Sequence, residues 1–311
     1  MRVRKGLVVA QVALSMLLVA GGALFARSLQ NLHSFDPGFR IDGLAVFAVH
    51  PPLNAYSHPR IEELPARLQR DAAGLPGVRS ASMATIPVMD DTSWQWTVGV
   101  DGYQSKEGED MNPEMNQIGP RFFETLEVPV IGGREFDERD RAESAPVAIV
   151  NETFQRYFFG SESAVGRRLT MGGDKPREII GVVRDMHSVT IKGDVNRVVF
   201  LPITQQDGLD GATFYLRTAP GAAAPGAHVR TLIRQIDPAL PVYNLRTLEE
   251  RMRDSLYTDR LLATLSTAFA VLATLLAAIG LYGVMSFAVG RRRQEVGVRM
   301  GPGADSGSGE R

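Results

Sequence analysis

The chain contains no cysteine, which removes disulfides, thiolate nucleophiles and cysteine-bound zinc or iron–sulfur centres together. The same absence leaves the redox compartment open, since a cysteine-free domain tolerates oxidising and reducing surroundings alike. Histidine is sparse. His33, His50, His58, His187 and His228 are the only five, and they match no metal-ligand spacing, so surface or structural roles are expected. Neither sign of charge is in surplus: 34 Lys and Arg against 35 Asp and Glu leave a formal net charge of -1, and nucleic acid is not an expected partner. No Walker motif or nucleophile elbow occurs, and no Lys-Ser or Lys-Thr follows Gly172-Gly173, which reads as a hairpin turn. The acidic run Glu135, Asp137, Glu138 and Asp140 lacks the alternating ligands and late bidentate Glu of a calcium loop, and reads as a solvated turn. With no catalytic constellation, an enzyme is the least expected class and no cofactor or metal is expected. Any nucleotide energy must be hydrolysed by a partner.

Charge is also missing from two long stretches near the ends. Residues 7–25, LVVAQVALSMLLVAGGALF, are long enough to cross a hydrocarbon core of about 30 Å. Arg2, Arg4 and Lys5 precede them and place the N-terminus in the cytoplasm. A cleaved signal peptide fits less well, because the run is too long and Leu24 and Ala26 make a poor cleavage site. Residues 261–290, LLATLSTAFAVLATLLAAIGLYGVMSFAVG, carry no charge and are followed at once by Arg291, Arg292 and Arg293, so this end is cytoplasmic too. Ala273, Ala277, Gly280 and Gly283 mark this helix as one that packs against others. The expected class is therefore a multi-pass bacterial inner-membrane protein with two transmembrane helices flanking an α+β periplasmic domain of mixed short strands and helices. Its expected segments are a cytoplasmic start at 1–6, helix one at 7–26, the periplasmic domain at 27–258, helix two at 259–290 and a cytoplasmic segment at 291–311.

Within the domain, an amphipathic extension of the first anchor ends at Pro37-Gly38. Strands are expected at 44–49, 78–88, 94–100, 146–150, 179–183, 198–201 and 213–217, with a strand-like stretch at VPVIG and another at PVYNL leading into the last helix. Helices are expected at 59–75, from Phe122, after Asn151 as N-cap, and at 228–236. Residues 101–113 and TAPGAAAPGA read as loops.

Several stretches together resemble the MacB/FtsX-type permeases of ABC transporters, and among these the large duplicated permeases. GLVVAQVALSMLLVAGGALFARSLQNL is similar to that family's first membrane helix and stalk. GPRFFETLEVPVIGGREFDERD, APVAIVNETFQRYFFG, REIIGVVRDMHS and VVFLPITQ resemble motifs of its periplasmic core domain. LLATLSTAFAVLATLLAAIGLYGVMSFAVGRRRQEVGVRM resembles its second membrane helix and the start of its cytoplasmic loop.

The resemblance implies mechanotransmission. A partner ATPase dimer closes on ATP and pushes a short cytoplasmic segment, and the membrane helices carry that motion to the periplasmic domain. Arg291, Arg292, Arg293, Glu295 and Arg299 fall in the matching segment, where the competing reading is a basic stop signal that only sets topology. The implied partners are the lipid bilayer, an ABC-type ATPase that would bind the ATP, and a second copy or the missing permease segments. Gly301-Pro302-Gly303 breaks the helix where the family continues, and ADSGSGER reads as a disordered tail. A C-terminally truncated permease, or one piece of a split one, is the expectation. The rival readings are an anchored periplasmic binding or regulatory module without ATP coupling, and an inactive remnant.

Overall fold

The computed structural model describes residues 36–50, 58–90, 92–188, 194–206 and 211–299, with isolated helical positions between 6 and 24. Over 58–63, 254–260 and 284–299, and at 263 and 281, it describes backbone alone. The amphipathic extension expected before Asp36, most of the first membrane span and the tail after 299 lie outside the described residues. The chain divides into two compact units, Met1–Phe35 with Asp254–Arg311, and Asp36–Arg253.

In the unit Asp36–Arg253, strand β1 (Leu44–Val49) is buried along its whole length, as a central strand covered on both faces must be. Helix α1 (His58–Ala73) returns the chain to β2 (Val78–Ala84). Much later, β11 (Ala212–Thr218), helix α4 (Gly226–Ile236) and β12 (Val242–Thr247) repeat the same β-α-β turn. The four strands lie in the order β12-β1-β11-β2, with every neighbouring pair antiparallel. This is the split β-α-β arrangement of ferredoxin-like folds. Leu64, Leu68 and Ala72 repeat every four residues along α1 and meet Val229 and Ile233 of α4 over the stacked rings of Phe47 and Phe214.

Residues 85–211 form a second lobe inserted between β2 and β11. It continues the sheet through β5 (Glu114–Ile118), β10 (Val198–Pro202), β7 (Val147–Asn151), β9 (Arg177–Val183), β8 (Arg168–Met171) and β4 (Val98–Val100). Strand β3 (Trp94–Gln95) pairs with β5, and β6 (Val130–Gly133) with β9. Helix α2 (Phe122–Leu126) and helix α3 (Glu152–Phe159) complete the lobe. The host sheet and the lobe join at one residue pair, Ala84 with Ile118. Beneath that seam, Phe122, Phe123, Phe200 and Tyr215 meet edge to face in a shared buried cluster.

The expected strand over 94–100 is two strands, because the chain changes partner from β5 to β8 within it. The acidic run is only in part the solvated turn expected of it: Glu138 is exposed and Asp137 half-buried. Asp140 is buried in a bidentate pair with Arg134 at 2.7 and 2.8 Å. Phe136 is sunk in the core beside it.

The last helix, α5, runs Leu248–Arg299. Its described side chains at Leu261, Leu265, Phe269, Leu272, Leu276 and Ile279 are exposed. Among the described residues no helix is long and apolar enough to cross a membrane.

Candidate functional site: the root of the last helix

Among the described residues no group of His, Asp and Glu could hold a metal ion. What the domain does have is an elaborate joint where the chain leaves the sheet. The segment Thr247-Leu248-Glu249-Glu250 is a capping box: the Thr247 hydroxyl accepts the Glu250 backbone N–H at 3.2 Å, and the Glu250 carboxylate accepts the Thr247 N–H at 2.9 Å. Two of the four donors orphaned at a helix start are thereby satisfied. Leu248 is fully buried in the shared cluster with Phe122 and Tyr215. Glu249 accepts the Gly43 N–H at 3.3 Å, which ties the first turn of α5 to the start of β1. One turn on, Arg251 pairs with Asp90 in the loop after β2.

The wall behind this joint is buried and closely hydrogen-bonded. The Tyr215 hydroxyl, inside the core, accepts the Val88 N–H at 2.8 Å, and burial pushes its pKa well above the ordinary value. Arg217, 3% exposed, donates to the carbonyls of Thr125, Asp42 and Arg40 at 2.9, 2.6 and 2.7 Å. Burial pulls the Arg217 pKa down, against the opposing charge of Glu127. These bonds staple residues 40–42 to β11.

The incoming segment is fitted as closely. Asp36 accepts the Gly38 N–H at 2.9 Å, and Gly38 sits at φ +80 against the carbonyl oxygen of Asp185. A Cβ there would collide with that oxygen, so glycine is required. Phe39 then enters the core.

Of the residues singled out in the sequence, Arg291, Arg292, Arg293, Glu295 and Arg299 lie on the last turns of α5 as helical backbone, with side chains outside the described set. Ala273 is buried, Ala277 and Gly280 are half-buried, and Gly283 is exposed with open space around it. None of these belongs to the joint. Sequence reading passed over Thr247, Glu250, Asp90 and Arg251. The capping box was legible as T-x-x-E before a helix, whereas the pairing of Asp90 with Arg251 has no local signature.

Residues 6–236 match the family described as "MacB-like periplasmic core domain". The chain belongs to that family. The "Probable export ATP-binding/permease protein" of Pseudomonas fluorescens is 24% identical over 63% of this chain, a match that covers 31% of the relative. The macrolide export ATP-binding/permease protein MacB of a Shewanella species is 27% identical over 61% of this chain and 30% of its own length. The chain thus spans about a third of the length of these curated relatives. Among solved structures, the periplasmic region of MacB from Actinobacillus actinomycetemcomitans matches 70% of this chain and 94% of its own at 14% identity, with a TM-score of 0.46. The family match over residues 6–236 bears out the expectation of an α+β periplasmic domain of the MacB type.

Proposed function

We propose that this MacB-like chain is a permease subunit, or part of one, in which α5 carries motion from a cytoplasmic ATPase into the periplasmic domain. The observation that supports it most is the contrast along one helix. Its first turn is built into the core through Leu248, the capping box and Arg251. Further on, residues 261–290 are without charge, and their described large side chains stand exposed. Apolar side chains on many sides of one helix call for an apolar surround, and a bilayer supplies it.

In this reading residues 7–26 and 259–290 cross the inner membrane, and the basic residues at both outer flanks keep the ends cytoplasmic. Arg291, Arg292, Arg293, Glu295 and Arg299 form the segment that docks on the ATPase. Ala273, Ala277, Gly280 and Gly283 face a neighbouring helix, of a second copy or of further permease segments. The ATP belongs to the partner, and its hydrolysis supplies the force. The names of the relatives pair ATP-binding with permease function, which is consistent with an ATPase working with this chain.

The test is affinity capture of the tagged chain from its native membranes. An ABC-type ATPase should accompany it, and should be lost on replacing Arg291, Arg292, Arg293 and Glu295 by Ala. Capture of a folded, membrane-inserted chain without any ATPase sinks the coupling and leaves an anchored periplasmic module.

A further inference from the structure

The turn at residues 185–188 is gripped from two sides. From the first, the incoming segment rests on it: His187 donates its backbone N–H to the Pro37 carbonyl at 2.8 Å, and Gly38 lies against the backbone of Asp185 and Met186. From the second comes the loop at 88–90. Met89 donates its N–H to the Ser188 carbonyl at 3.0 Å, while its neighbours are fixed at the joint, Val88 on the Tyr215 hydroxyl and Asp90 on Arg251 of α5. Met89 itself is held at φ +58, a left-handed conformation that a long side chain disfavours and that persists only where the surroundings impose it. Each of the two chain segments leaving this domain therefore reaches the same turn, one directly and one through Met89 and Asp90.

The turn leads into the inserted lobe. Asp185 accepts from Asn151 Nδ2, the Thr153 N–H and the Thr153 hydroxyl at 2.7–2.8 Å, which locks it to the start of α3. Met186, His187 and Ser188 form one wall of a cleft whose other side holds Glu114 and Asn196. There Asn196 Nδ2 donates to the buried Glu114 carboxylate at 2.7 Å, and the Glu114 N–H donates to the Arg197 carbonyl at 2.8 Å.

We infer that residues 88–90 and 185–188 form a relay that passes displacement of the root of α5 to the Glu114–Asn196 cleft, with Asp90 and Arg251 as its positioning residues. The inference rests on α5 being the moving element. When Arg251 shifts, Asp90 follows it, Met89 is released from its imposed conformation, and Ser188 loses the N–H that holds that wall of the cleft. The relay runs entirely through side-chain and backbone bonds of the unit Asp36–Arg253, so its contacts can be perturbed in the chain without an ATPase present.

Amide hydrogen exchange on the full chain in lipid nanodiscs tests it, comparing wild type with Asp90→Asn, Arg251→Gln and the exchanged pair Asp90→Arg with Arg251→Asp. Each single variant should raise exchange about tenfold at Met89 and also at the distant Glu114 amide, with the amides of β1 and β11 unchanged. The exchanged pair should restore both. Met89→Gly, which takes up the left-handed conformation without strain, should slow exchange at these amides and shows that the loop still folds. A rise confined to 88–90 and 248–253, with Glu114 at its wild-type rate, overturns the relay. That outcome leaves the coupling proposal standing, since capture of an ATPase depends on residues 291–299 and not on Asp90.

Discussion

Glu135 shows how a single carboxylate can set the pH response of a fold. Its two oxygens accept the backbone N–H groups of Phe123 and Glu124 at 2.5 and 3.2 Å and so cap the short helix α2. Burial pushes its pKa up to about 7 from the ordinary 4.5, outweighing the pull of those two donors. The folded chain then binds this proton more tightly than the unfolded chain does. The resulting stabilisation is complete below about 4.5 and is lost as pH rises through about 7. Thermal unfolding between pH 5 and 8 should fall for the wild type by a few degrees more than for Glu135→Gln, which carries no titrating proton; parallel curves would assign the slope to other groups. Gly38 makes a prediction of the opposite kind, indifferent to pH. Gly38→Ala meets both the positive φ and the Asp185 carbonyl, and should cost roughly 1–3 kcal/mol in chemical denaturation. The sequence marked Pro37-Gly38 only as the end of a helical extension, and the fit of Gly38 against Asp185 was not legible there. The part played by Glu135 was not legible either, because its partners are main-chain groups eleven and twelve residues away that only the fold brings to it.

At the scale of elements, legibility followed whether an element satisfies itself locally. The helix α3 announced its start through Asn151, and Asn151 is indeed the cap, accepting the Phe154 N–H at 3.0 Å. Its role is wider than a cap, since the same oxygen accepts the Val198 N–H of β10 and the amide group donates to Asp185 and to the Asn196 carbonyl. Asn151→Ala should therefore cost about 2–4 kcal/mol, more than the usual cap, because buried donors are orphaned at several elements. Thr247→Ala at the capping box of α5 should cost only about 1 kcal/mol by the same measurement, since its partners can turn to water. Strand β5 escaped sequence reading altogether. Its residues, EMNQI, are too polar to suggest a buried strand, yet Asn116 is 4% exposed. The Asn116 side-chain amide bonds the main chain of Ile86 in both directions, at 2.9 and 3.1 Å, in place of a neighbouring strand. A polar residue that imitates backbone leaves no alternation to detect. Strands β1 and β7, by contrast, bury apolar runs and were legible for that reason.

At the scale of the whole molecule, the host fold and the insertion are joined by one strand pair and a common aromatic cluster. The sequence carried the sum of these elements, an α+β domain between two charge-free runs, but gave no hint that the four-stranded host sheet is interrupted, because insertion changes neither the pattern nor the order of the remaining strands. The interruption has a consequence for how the chain reaches this state. Ala84 pairs with Thr213 across the interruption, so the first contact between β2 and β11 closes a loop made of the entire second lobe. Ring closure grows costlier with length, by about 0.6 kcal/mol per doubling, and contacts so distant in the chain are slow to form. If residues 85–211 fold first, their ends are brought together and the effective loop becomes short. The lobe carries both tryptophans, Trp94 and Trp96, whereas β1, β11 and β12 report through their amides. In refolding from denaturant, tryptophan fluorescence should reach its native value before the amides of β1 and β11 become protected. The inserted lobe would then be the scaffold on which its own host is assembled.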